Sequence, residues 1–204
     1  MFKLLGKLFV LIALVCVTLW AVDLYQSKTA LQEDIIRLHI IANSDSETDQ
    51  SEKLKVRDGV LAYIQEEISK LPNREDAEDY IRGKLADIED VANEILEEIG
   101  SGHIAKVKLG LTEFGERIYD TFSLPSGVYN ALQIEIGEAE GKNWWCVVFP
   151  SFCVPTSNDD FRNVAASAGF DNDVIETISN DGDYKIRFFV LDLWGKVENF
   201  LFKR

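Results

Sequence analysis

Residues 35–42 read IIRLHIIA, a β-branched run with Ile36, Leu38 and Ile40 on one side and Arg37, His39 and Ile41 on the other. The alternation predicts a strand. It stops at Asn43, Ser44 and Asp45, whose short polar side chains bond their own backbone and favour a turn. Everything downstream for 60 residues has a helical period, and strands return only after Gly102. The fold therefore turns on this early strand, which must join a sheet built from much later segments.

Ser46 with Asp49 three residues on has the spacing of a helix N-cap, and acids fill the first turn. Leu54, Leu61, Ile64 and Ile68 form its apolar stripe, with Val60 beside it, and Leu71, Pro72 and Asn73 close it. A second helix is expected from about Glu75 to Ile99, with Ile81, Leu85, Ile88, Ala92, Ile95 and Ile99 on one face. Gly100, Ser101 and Gly102 stop it.

The period then changes to two. Lys106–Thr112 points Val107, Leu109 and Leu111 inward, Arg117–Leu124 is a further candidate, and Ala131–Ile136 alternates through Leu132, Ile134 and Ile136. Gly137–Asn143 reads as a hairpin loop. Trp144–Phe149 (WWCVVF) is apolar on both sides and is expected as a central strand. Short helices are expected at Asp160–Ala168 and Asn172–Ser179, with a turn at 181–183. Helices early and strands late predict an α+β fold, a mostly antiparallel sheet with two long helices on one face.

Working outward, Leu8–Val22 carries no charge, with Lys3 and Lys7 before it and Asp23 after. Its position and flanking charges predict an export segment whose positive end stays inside. Leu19 and Trp20 make a poor cleavage site before Ala21, so cleaved signal and retained anchor both stand; Cys16 is read as an apolar filler. The expected organisation is 1–22 signal peptide or membrane anchor, 23–34 linker, 35–183 α+β domain, and 184–204 a C-terminal strand or amphipathic helix. That last segment carries Phe188, Leu191, Trp194, Val197 and Leu201 at helical spacing. It is expected to pack on the sheet, with a membrane surface as the alternative.

Net charge is -14, and outside the export segment 19 basic side chains face 35 acidic ones. Such a surface repels phosphate backbones, which argues against nucleic acid as a partner. His39 and His103 have no Cys or His at ligand spacing, and Asp45–Asp49 lacks the glycine and closing Glu of a calcium loop, so no metal is expected. Ser126 lies in Leu-Pro-Ser-Gly and not in a nucleophile elbow. No catalytic set, cofactor or small-molecule substrate is expected.

Several residues have functional readings. Arg57 falls within an apolar stripe and needs a partner, Asp45 or a carboxylate on the sheet. Arg37 and His39 share a strand face, either solvent-facing or an interaction surface. Trp144 and Trp145 place one indole on each face, one for the core and one as a candidate anchor for a partner. Cys146 and Cys153, with six residues between them, are either a disulfide or two buried thiols.

The blocks RLHIIANSDS (37–46) and NWWCVVFP (143–150) resemble the stage II sporulation protein R family. Leu54–Asp58, Gly127–Leu132, Gly137 and Gly141 are similar to it as well. The likeness covers roughly 35–153 together with the N-terminal segment. Family members often have a proline pair before the second cysteine, whereas here Ser151 and Phe152 follow Pro150. The resemblance implies a signalling factor of endospore-forming Firmicutes, made in the forespore and exported into the space between forespore and mother cell. There it activates a membrane-embedded aspartic protease, which processes the sigma-E precursor. On that reading Arg37, His39, Asn43, Ser44, Asp45, Arg57, Trp144 and Trp145 are candidate partner-binding residues, and the membrane is a second partner if the N-terminal segment is uncleaved. The alternative function is a cell-envelope glycan-binding module.

Overall fold

Ile36, Leu38 and Ile40 are fully buried, and on the opposite side Arg37 and His39 are buried too. Strand β1 (Ile36–Ile41) therefore lies inside the molecule with both faces covered. In the computed structural model, which describes residues 2–151, 158–168, 170, 172–179 and 185–202, it is an inner strand of a four-stranded sheet. The order is β2-β5-β1-β6, with β2 at Ala105–Phe114, β5 at Gly127–Ile136 and β6 at Asn143–Phe149. β1 runs parallel to β5, with Leu38 opposite Leu132, and antiparallel to β6, with Leu38 opposite Cys146. The β2–β5 pair is antiparallel. The fold is α+β with a mostly antiparallel sheet, as expected, and the distant early strand is its one parallel member.

Helices α2 (Glu47–Ile68), α3 (Arg74–Gly83) and α4 (Leu85–Glu98) cover the Leu38 face. Ser46 caps α2, its Oγ accepting from the Asp49 amide at 3.1 Å. The buried stripe is Val56, Val60, Leu61, Ile64 and Ile68, while Leu54 lies at its edge and is 36% exposed. The second long helix is two: Asn73 caps α3, and Gly83 and Lys84 interrupt the pattern before α4 resumes it. α2 and α4 pack closely at Gly59, where a Cβ would meet the Ile95 side chain at 2.2 Å.

The other face is covered as well, which the sequence reading did not foresee. Helix α1 (Phe2–Asp34) continues unbroken through 23–34, so the expected linker is a helix, and Lys28 and Leu31 are buried at its end. Leu31, Phe114, Phe122, Tyr129 and Val147 form a second core with Ala165 of α5 (Asn158–Ser167) and Ile175 and Ile178 of α6 (Asn172–Ile178). A few apolar residues in a polar sequence gave no visible periodicity, and tertiary burial supplied what local pattern lacked. Arg117–Leu124 is a small ribbon of two dyads, β3 (Arg117–Ile118) and β4 (Ser123–Leu124). Leu111, expected inward, is 64% exposed near the far end of edge strand β2.

β6 is also an edge strand, although its apolar sequence predicted a central one; helices burying both its faces make an edge strand read like an inner one. Helix α7 (Lys185–Phe202) docks on β5 through Leu191, Asp192 and Gly195. A Cβ at Gly195 would lie 1.5 Å from the Ser126 carbonyl oxygen, so glycine is required there. The turn expected at 181–183, Cys153 and the Phe188 side chain lie outside the described residues.

Candidate functional site

The Asn43–Ser46 turn is joined at one end of the sheet to the 137–142 loop, which crosses the end of β1 to link β5 to β6 and so is not the hairpin its sequence predicted, since β1 lies between the two strands. Asn43 Oδ1 accepts from the Glu138 amide at 3.0 Å, Asp45 Oδ1 accepts from the Lys142 amide at 2.7 Å, and the Gly141 amide donates to the Ala42 carbonyl at 2.9 Å. Gly137 has φ +58, and a Cβ there would meet Asn43 Oδ1 at 2.3 Å; one at Gly141 would meet the Ser44 carbonyl at 2.2 Å. Both glycines are therefore needed for close approach.

Behind the turn, Asp49 accepts hydrogen bonds from Ser44 and from Asn43 Nδ2, which hold its carboxyl down at about 2. Lys53, also buried, donates to the Lys142 carbonyl at 2.9 Å and to Gln50 Oε1 at 2.6 Å, and burial lowers its pKa. Neither Asp49 nor Lys53 was singled out as a site residue; a lysine falling in the apolar register of a helix was the available signal. His103 Nε2 lies 3.4 Å from Asp49 Oδ1, and Glu52 accepts from Ser101 Oγ at 3.0 Å. The ligand atoms of Asp49, Glu52 and His103 fall within 4.8 Å of one another, a grouping hidden by their separation in sequence. Their oxygens already accept hydrogen bonds that hold the turn and the α4–β2 loop together.

The remaining candidates divide between the two sides of the sheet. Arg57 pairs with the adjacent Asp58 at 2.6 Å, not with Asp45 or a sheet carboxylate. Its guanidinium lies 4.3 Å from the centre of the Trp144 ring, whose Nε1 is buried without a partner. Trp145 stacks on His39 with centroids 3.8 Å apart, and His39 Nε2 sits 2.9 Å from Asn143 Oδ1. Burial lowers the His39 pKa, so it is neutral at pH 7. Both indoles are half-buried with one ring face already covered, which speaks against glycan stacking on either.

Arg37 is not at a surface. It is fully buried, 3.9 Å from the Phe114 ring centre and 4.9 Å from that of Tyr129, and its Nη2 donates to Tyr119 Oη at 3.1 Å. Its Nε and Nη1 have no partner, and desolvation lowers its pKa. Ser126, the one candidate nucleophile, is buried and donates through Oγ to the Asp192 carbonyl at 2.7 Å. Cys146 is disulfide-bonded, Cys16 is a free thiol, and Cys153 lies outside the described residues.

Two separated sequence blocks, 37–46 and 143–150, thus meet through the loop that carries Gly137 and Gly141. Residues 32–159 match the model of the family described as stage II sporulation protein R. The chain belongs to the stage II sporulation protein R family. A stage II sporulation protein R of Bacillus subtilis (strain 168) is 37% identical over 123 residues, which is 60% of this chain and 55% of that relative. The matched stretch therefore spans little more than half the relative's length. No solved structure matches the chain. The family match ends at 159, so the matched region holds the whole sheet and α2–α4, while α6 and α7 lie beyond it.

The N-terminal half of α1 is the one helix among the described residues long and apolar enough to cross a membrane. Leu5 to Val22 is exposed along its length, as a signal or an anchor would be.

Proposed function

We propose that this chain is an exported sporulation signal that binds a membrane-embedded aspartic protease and switches it on, so that the protease processes the sigma-E precursor in the mother cell. It acts by binding and carries out no reaction itself. The apolar half of α1 takes the folded body across the forespore membrane into the space between the two cells. The observation that carries the reading is the convergence of the family's two sequence blocks at one end of the sheet. Asp45, Ser46, Lys142 and Asn143 are exposed side by side there, on a scaffold held by Asp49, Lys53 and two close-approach glycines. Arg37, His39 and Asn43 act behind this surface and hold it in shape.

The test is co-expression of the chain, the protease and the sigma-factor precursor. Lys142→Glu combined with Glu47→Lys alters exposed side chains only, so precursor processing should fall at least about ten-fold while the melting temperature is unchanged. Undiminished processing by that folded variant sinks the placement of the surface. Loss of processing in the unsubstituted chain on omitting the protease is the matching control.

A further inference from the structure

Asp49 and Glu52 stand three residues apart on α2, so their carboxylates share one side of the helix. Each residue is only 8% exposed. Two carboxylates buried this close repel, and a buried charge needs a counter-charge or a full set of donors. Among the described residues neither pairs with a lysine or arginine. Lys53, next along the helix, sends its Nζ to Gln50 Oε1 and the Lys142 carbonyl instead.

Each carboxylate uses one oxygen to hold the fold. Asn43 Nδ2 and Ser44 Oγ both donate to Oδ2 of Asp49, and Ser101 Oγ donates to Oε2 of Glu52. Oε1 of Glu52, on a side chain more than nine-tenths buried, accepts no hydrogen bond from a described residue. Oδ1 of Asp49 faces His103 Nε2 at 3.4 Å, beyond the usual N–H···O range. That separation suits two ligands of one tetrahedral cation, because metal–ligand bonds of about 2.0–2.2 Å set neighbouring donor atoms roughly 3.3–3.6 Å apart. With a carboxylate oxygen of Glu52 the three donor groups lie within 4.8 Å of one another, and a small turn of the Glu52 side chain closes the remaining distance.

The hydrogen bonds on the far oxygens form an outer shell. Asn43 and Ser44 orient Asp49, while Ser101 orients Glu52 and accepts from the His103 amide at 3.2 Å. Ligating side chains in metal centres are fixed by such partners. The His103 side chain is 32% exposed, which leaves an entry path and a fourth position for water. Two carboxylates and an imidazole, without a thiolate, suit a first-row divalent ion, and they are too few for the six to eight oxygens of calcium. The expectation of no metal rested on local spacing, whereas the third donor comes from a loop beyond two further helices.

We infer that Asp49, Glu52 and His103 form a binding site for one divalent transition-metal ion of the Zn2+ class, which ties the first turn of α2 to the loop between α4 and β2. The ion neutralises both carboxylates and, through Asp49, steadies the Asn43–Ser46 turn. The inference does not rest on the protease reading, and its test contains no protease.

The full chain carrying Cys16→Ser, purified in detergent without a histidine tag and stripped with EDTA, is titrated with Zn2+. One ion per chain should bind with micromolar affinity or tighter, and the melting temperature should rise with it. Glu52→Gln keeps the side-chain size and an acceptor for Ser101, and His103→Ala changes a partly exposed loop residue. Both variants should match the parent in circular dichroism and melting when metal-free. Each should weaken Zn2+ binding at least about ten-fold and remove the thermal shift. The absence of saturable binding to the parent overturns the inference. Equal affinity in the parent and both variants, or displacement of Zn2+ by millimolar Mg2+, overturns it in favour of loose attraction to an acidic surface.

Discussion

The two faces of β1 are built by different physics. On one, Ile36, Leu38 and Ile40 pack under α2, α4 and their neighbours in a cluster held by non-directional burial. On the other, Arg37 and His39 lie among Phe114, Tyr129, Trp145 and Tyr119, where ring geometry and a few hydrogen bonds fix each side chain. The first face tolerates reshaping and punishes lost volume. The second specifies arrangement and includes a buried charge that burial itself disfavours.

The contrast can be broken most forcefully at Leu38. Leu38→Ala removes fully buried volume and should cost about 2–5 kcal/mol in urea denaturation. A loss below 1 kcal/mol would mean that the α2–α4 layer is not the main core. Next, Gly195→Ala pushes α7 off Ser126. Because that helix packs on the opposite side of the sheet from α2–α4, limited proteolysis should cut within 185–202 while α2–α4 stay protected. Global unfolding would show instead that the two faces are one cooperative unit.

A smaller effect is expected at Arg37. Arg37→Met keeps most of the volume and removes a charge with two unpartnered N–H groups, so stability should be unchanged or higher by about 1 kcal/mol. A loss of 3 kcal/mol or more, beyond about what ring contacts to a cation supply, would reveal a counter-charge on that face. The mildest effects are titrations. His39 has a folded pKa below its unfolded value, so the unfolded chain binds the extra proton and stability falls as pH drops from neutral through the ordinary histidine range. His39→Phe should flatten that slope. Asp49, lowered from 3.8 to about 2, contributes stability above the first value that is lost as pH falls through the second, and Asp49→Asn should remove this later step.

The first face was legible because its signals are local. Alternation in IIRLHIIA, the Ser46 cap and the 3.6 period of α4 each follow from a few consecutive residues. The second face was not, because its members come from 31, 37, 114, 129, 145 and 175, and no single periodic run holds them together. The same limit hid the Asp49–His103 contact and gave Arg57 the wrong partner. Gly137 and Gly141 were visible as turn formers, but only the fold shows that they make room for Asn43 and the Ser44 carbonyl. The apolar stripe expected in α7 is only partly the packed side, with Leu191 buried and Trp194, Val197 and Leu201 exposed, since periodicity locates an apolar face without saying what covers it.

The unbroken course of α1 sets a distance. A flexible 12-residue tether would let the body wander about 20 Å from its point of exit. A helix rises 1.5 Å per residue, and only six residues separate Val22 from buried Lys28, so a retained anchor holds the body about 9 Å off the membrane in one orientation. On the proposed function, a receptor in a facing membrane would meet such a body at a fixed height and angle, and the width of the gap between the two membranes would decide whether they touch.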